Sequence, residues 1–193
     1  MTYFDDYKKM LNDALDSIDQ DALQQFAEEL YHMADGRTPL LVCGNGGSAA
    51  IAEHMSCDHT KGICMDTNLD PFVIPLASNV SLITAIANDI GYHEVFSKQI
   101  EWFSDPNAVV LVISSSGNSP NILKALQAAK SRGMYSMALV GFDGGAAKDL
   151  ANLTVHVKSN NYGIIEDCHQ IIMHMVAQNI RTENCILPAK PKL

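Results

Sequence analysis

Basic residues are scarce in this chain. Its 193 residues hold 13 Lys+Arg against 22 Asp+Glu, a formal net charge of -9 with a pI near 5.1. Nucleic-acid binders usually carry a basic footprint, so this balance speaks against one. Long apolar runs are missing too, since no uninterrupted stretch approaches the ~20 residues of a membrane span. Met1 to Gln20 is acidic and polar, unlike a secretory signal. No C-x-x-C occurs among Cys43, Cys57, Cys64, Cys168 and Cys185. An odd count without an export signal predicts reduced thiols in a cytoplasmic protein. Cys57 and Cys168 read as small buried fillers rather than catalytic thiols. Repeats, linkers and low-complexity segments are absent, and only Leu187 to Leu193, with two prolines, reads as loose. What remains is 47% hydrophobic and 18% charged, enough apolar material for the core of one domain and too much for disorder.

Two helices open the chain over residues 3–33. Phe4, Tyr7, Met10, Leu11, Leu15 and Ile18 keep a spacing of three and four. Asp19 is placed to cap a second helix carrying Leu23, Phe26, Ala27 and Leu30, which Asp35-Gly36 ends. Standing before the first strand, this pair either caps a sheet or packs against another subunit. From Pro39 onward, short apolar runs (40–43, 72–76, 108–113, 137–140 and 153–157) alternate with helical stretches near 48–61, 79–88, 92–103, 119–132, 145–151 and 164–185. Continuous apolar strands between helices indicate a parallel sheet buried on both faces. The expected fold is therefore an α/β/α three-layer sandwich with five parallel strands over 38–185, preceded by the helical pair of residues 1–35.

Two of the strand-to-helix loops are unusual. The first reads Gly44-Asn45-Gly46-Gly47-Ser48-Ala49-Ala50. Glycines let a backbone approach a ligand closely, and a helix N-terminus offers free N–H groups and a positive dipole end. Gly44, Gly46 and Ala49 fit a loose dinucleotide fingerprint, but no Gly-Lys-Ser/Thr follows, which excludes a P-loop. The second loop reads Ser114-Ser115-Ser116-Gly117-Asn118-Ser119-Pro120-Asn121. Ser119 or Asn118 can cap the following helix with Pro120 at its first position, which explains one serine and not four. Ser48, Ser114, Ser115, Ser116 and Ser119, with the backbone of Gly46 and Gly47, form a set able to surround a phosphate. Both loops leave the carboxyl ends of parallel strands, where open α/β sheets bind ligands.

A second constellation is charged. His54 and Asp58 are four apart on one helix, and Glu166, His169 and His174 lie along the last one, with Glu166 and His174 eight apart. His54, Asp58, Glu166 and His174 make a mixed imidazole and carboxylate set suited to Zn²⁺ or a similar divalent ion. The same groups are equally able to move protons. His32, His59, His93 and His156 have no partner pattern and read as structural, while Ile171, Ile172 and Met175 read as core.

G-N-G-G-S-A (44–49), T-A-I-A-N-D-x-G (84–91), S-S-S-G-N-S-x-N (114–121), G-x-D-G-G (141–145) and E-D-x-H…H (166–174) occur in this order. With them the chain resembles a sugar isomerase (SIS) domain of the phosphoheptose isomerase type, along most of its length. The resemblance implies interconversion of sedoheptulose 7-phosphate and D-glycero-D-manno-heptose 7-phosphate by a homotetramer with active sites between subunits. It implies that the five serines hold the phosphate, that Asn45 and Asp89 contact the sugar, and that His174 is an acid/base. Asp58 stands where the family has its catalytic glutamate, one methylene longer. Glu166 stands where the family has a glutamine that helps bind zinc, and so adds a negative charge. Lys61 lies in the stretch that carries an arginine in the family, and Tyr162-Gly163-Ile164-Ile165 lacks the family's polar residues there.

The expected activity is proton transfer through an enediolate, with Asp58 and His174 as the acid/base pair. Two rivals are a phosphosugar sensor that binds without turnover and a protein that associates with the bacterial replication initiator. Side chains able to do chemistry at 54, 58, 166 and 174 favour the enzyme.

Overall fold

A computed structural model describes residues 2–186, so the expectation of a loose end at 187–193 falls outside the described residues. The first helices are α1 (Tyr3–Asp16) and α2 (Gln20–Gly36). Thr2 and Asp5 form a reciprocal capping box at α1, and Asp19 Oδ1 accepts from the amides of Asp21 and Ala22 at α2. Each such cap is worth about 1 kcal/mol.

Five strands follow: β1 (Pro39–Gly44), β2 (Phe72–Pro75), β3 (Val109–Ser114), β4 (Ser136–Val140) and β5 (Leu153–His156). All neighbours pair in parallel, in the order β2-β1-β3-β4-β5. The strands of the middle of the sheet are buried along their whole length, which is why they read as unbroken apolar runs. Alternate residues face opposite layers. Leu40, Val42, Leu111, Ile113 and Leu139 pack with α2, α3 (Gly47–Cys57) and α8 (Tyr162–Glu183). Leu41, Cys43, Val110, Val112 and Val140 pack on the other face with residues of α4 (Val80–Asp89), α5 (Ser97–Trp102), α6 (Pro120–Ser131) and α7 (Gly145–Leu150).

The helical pair does cap the sheet in part. Phe26, Leu30 and Ala34 of α2 sink into the core shared with α3 and α8. From α1, Tyr7 donates its hydroxyl proton to Asp167 Oδ2 on α8 at 2.7 Å, a bond that holds its pKa up at about 12. Tyr3 and Phe4 remain exposed at 67% and 74%.

Three departures from the sequence reading have local causes. The stretch 92–103 is not one helix but a 3-10 turn, Tyr92–Glu94, followed by α5. Glu94 is drawn aside by Lys124 at 3.3 Å and by the Ser97 hydroxyl. The helix expected over 48–61 closes at Cys57 and widens into a π turn, Asp58–Gly62. Cys57 and Met175, expected inside, are exposed, whereas Cys43 and Cys168 are buried, and among the described residues no cysteine forms a disulfide.

Candidate active site

The sheet order changes direction between β1 and β3, so their carboxyl ends diverge and leave a crevice. Both unusual loops open there. At the first, a β-carbon on Gly44 would meet the Ser48 backbone at 2.7 Å, and Gly46 adopts a left-handed φ of +54°. Only glycine fits both conditions. Gly46 is also the N-cap of α3 and lends it no side-chain cap. The open first turn of α3 thus faces the crevice with its positive dipole end.

At the second loop, Ser114 Oγ accepts from the Gly117 amide at 3.1 Å and Ser116 Oγ from the Asn118 amide at 3.3 Å. Ser119 occupies the N-cap position of α6 with Pro120 behind it, yet its hydroxyl makes no cap bond. Gly117 has φ +62°, and a β-carbon there would collide with the Gly144 carbonyl oxygen. The G-x-D-G-G segment therefore has a visible purpose as the brace of the serine loop. The Gly141 amide donates to Ser115 O, the Ala147 amide to Gly117 O, and the Ala146 amide to Asn118 Oδ1, each at 2.9 Å. The two loops are clasped to each other by reciprocal amide bonds between Asn45 and Asn121, at 2.8 and 2.9 Å, and Tyr92 also donates to Asn45 Oδ1.

Between the loops lies a cavity of about 140 Å³ lined by Asn45, Ser48, Ile113, Ser114, Ser115, Ser116, Ser119, Tyr162 and Glu166. All five serines singled out in the sequence meet there. Ser115 is 6% exposed, and its Oγ has no partner within the protein. A buried hydroxyl left without a partner costs about 1–3 kcal/mol, so Ser115 Oγ has a bond to offer to whatever enters the cavity. Asp89 is not among the lining residues. It ends α4 on the surface, where the Asn88 side-chain Nδ2 donates to its Oδ1.

The charged constellation forms on the outer side of α3 and α8, which lie against each other. Asp58 Oδ2 is 3.3 Å from His54 Nε2 and 3.2 Å from His174 Nε2. The two imidazoles meet edge to face with centroids 5.0 Å apart. One ligand atom from each of the three residues lies within 4.8 Å of the others. Glu166, grouped with them by spacing, is instead at the cavity, where a β-carbon on Gly47 would meet its Oε2 at 2.5 Å.

The residue that does join the cluster is Gln170, which the sequence reading missed. Its Nε2 is 3.1 Å from His54 Nδ1 and 3.2 Å from His174 Nε2. The spacing of four to His174 was the available signal. With that amide donating, His174 Nε2 faces a donor and an acceptor at once. A bare nitrogen satisfies Gln170, and a protonated one satisfies Asp58. Beneath the cluster, His59 is 2% exposed, its Nε2 lies 3.4 Å from Met173 O, and burial lowers its pKa to about 4. His169 is fully buried, and burial likewise lowers its pKa to about 4.

Known proteins fit this geometry. The SIS domain signature matches residues 2–141, well over half the chain, and the chain belongs to that family. Relatives within the family include phosphoheptose isomerases. It is 36% identical over 174 residues to the phosphoheptose isomerase of Helicobacter pylori (strain P12), covering 90% of each chain. It is 40% identical over 163 residues to that of Shewanella sp. (strain W3-18-1), covering 83% of this chain and 82% of the relative. The solved phosphoheptose isomerase of Francisella tularensis superposes with a TM-score of 0.83 at 29% identity, over 93% of this chain and 95% of that one.

Proposed function

We propose that the protein is an aldose–ketose isomerase of a phosphorylated heptose, interconverting sedoheptulose 7-phosphate and D-glycero-D-manno-heptose 7-phosphate. One observation carries the reading beyond family membership: the α3–α8 pair holds two polar stations. Gly47 faces Glu166 at the serine cavity, and seven residues further along α3 His54 faces Gln170. That is roughly 10 Å along a helix axis. A sugar phosphorylated at one end and reacting at the other needs such a separation.

In this reading Ser48, Ser114, Ser115, Ser116 and Ser119 bind the phosphate with the Gly46–Gly47 backbone, and Asn45 touches the sugar. Anchoring fixes the carbon chain, so both reactants share one pose. The Asp58–His174 pair takes the proton from the carbon next to the carbonyl and returns it to the neighbouring carbon through an enediolate. The two bonding states of His174 Nε2 described above suit a group that gains and loses a proton in each cycle. His54 orients Asp58, and Gln170 orients both imidazoles.

Two imidazoles and a carboxylate within 4.8 Å of one another are also a donor set that fits zinc or a similar divalent ion. Held by His54, Asp58 and His174, such an ion would supply positive charge for the oxygen that becomes anionic. Glu166 would join it only by leaving the serine cavity.

The chain reads as one SIS domain, with its first 35 residues used to assemble a homotetramer in the cytoplasm. Exposed Tyr3 and Phe4 on α1 and a cavity of about 210 Å³ between α2 and α8 support an interface there. Among the described residues no helix is long and apolar enough to cross a membrane.

The decisive experiment incubates the purified protein with sedoheptulose 7-phosphate in D₂O, with zinc supplied. The expected result is the aldose product with solvent deuterium at carbon 2. No turnover of any heptose, hexose or pentose phosphate overturns the proposal, and thermal stabilisation by those sugars without product assigns a sensor instead.

A further inference from the structure

The cavity at the head of α3 contains a feature that a phosphate site does not need. Glu166 brings a carboxylate to its wall, with its Oε2 2.5 Å from where a β-carbon on Gly47, the first residue of α3, would stand. The same cavity holds the Ser115 hydroxyl, which has no hydrogen-bond partner within the protein. A carboxylate at a helix N-terminus is favoured by the positive end of the dipole. It also stands where a bound phosphate would benefit from that dipole, and the two anions repel each other there.

Resting on the reading of this cavity as the phosphate site, we propose that Glu166 is a resident anion that sets how tightly the protein holds phosphate. In the free protein its carboxylate occupies the head of α3. An incoming phosphate displaces it or shares the pocket with it, and both cost affinity. Glycine at position 47 is what admits the carboxylate, since a β-carbon there would overlap its oxygens. The pocket is therefore weaker for phosphate than its five serines alone would make it. Glu166 is here a specificity-determining residue acting on affinity, and it takes no part in the proton transfer.

The test titrates inorganic phosphate into chelator-treated wild-type protein and into Glu166→Gln by calorimetry, and titrates zinc into both. Glutamine keeps the shape and removes the charge. The expected result is phosphate bound about tenfold more tightly by Glu166→Gln, with zinc affinity unchanged. Phosphate binding that is equal or weaker in Glu166→Gln overturns the inference and leaves the pocket standing. Zinc affinity that falls in Glu166→Gln also overturns it, and returns the carboxylate to the metal. Phosphate bound by neither form overturns the pocket reading itself and the inference with it. Glu166→Ala serves as a second charge-free form and is expected to change phosphate affinity in the same direction.

Discussion

At the head of α3 the polar groups are hydroxyls, backbone amides and the lone carboxylate of Glu166, held by glycine turns and by a brace from residues 141–147. Two turns further along the same helices they are imidazoles and a carboxylate, with 48%, 38% and 33% of the His54, His174 and Asp58 side chains open to solvent. The first station is fixed by backbone and burial. The second depends on side chains that reach across from two helices. On the proposed function, binding rests on the rigid part of the molecule and chemistry on the adjustable part, so the two should be separable by mutation.

The largest expected effect is on the adjustable station. His174→Ala should lower kcat by about 10³-fold while leaving phosphate affinity within about twofold, read by steady-state kinetics and phosphate titration. Equal losses in both would erase the division. Next comes the rigid station, where Gly117→Ala places a β-carbon against the Gly144 carbonyl at a positive φ. It should destabilise the fold by about 3 kcal/mol in a denaturant titration and loosen phosphate binding with it.

Acid should expose the buried layer under the cluster. His59 and His169 have folded pKa values lowered to about 4, below the ~6.5 of an unfolded chain. The unfolded state then binds more protons between those values, and stability is lost as pH falls from about 6.5 to about 4. Each histidine should cost about 2 kcal/mol by pH 5. His169→Leu should therefore melt above wild type at pH 5 and close to it at pH 7. Smallest is Ser115→Ala, which removes one hydroxyl that has no partner in the protein. Phosphate affinity should fall about three- to tenfold with kcat unchanged, because one hydrogen bond contributes about 0.5–1.5 kcal/mol.

The rigid station was also the more legible one. Glycines and serines at strand ends declare their backbone needs locally, and buried parallel strands declare themselves as apolar runs. The adjustable station was readable only as a set of faces. A spacing of eight places Glu166 and His174 on one side of α8, but which residue of α3 each would meet depends on how the two helices are set against each other. That setting puts Glu166 opposite Gly47 and leaves the cluster to Gln170, a neutral amide that no charge pattern flags. Asp89 was named through family likeness alone, and it stands at the surface outside the cavity.

The π turn after Cys57 carries a consequence of its own. A π turn is a helix with one residue too many, and it shifts the phase of everything beyond it. Here the turn begins with Asp58, which faces the histidines, and takes in His59, which is buried against Met173. Deleting one residue from 60–62 would return the turn to ordinary winding and shift the Asp58 carboxylate and the His59 ring that the wide turn now places. Chemistry and core are thus geared to each other at this turn, and a change in chain length there would retune both at once where a substitution would touch only one.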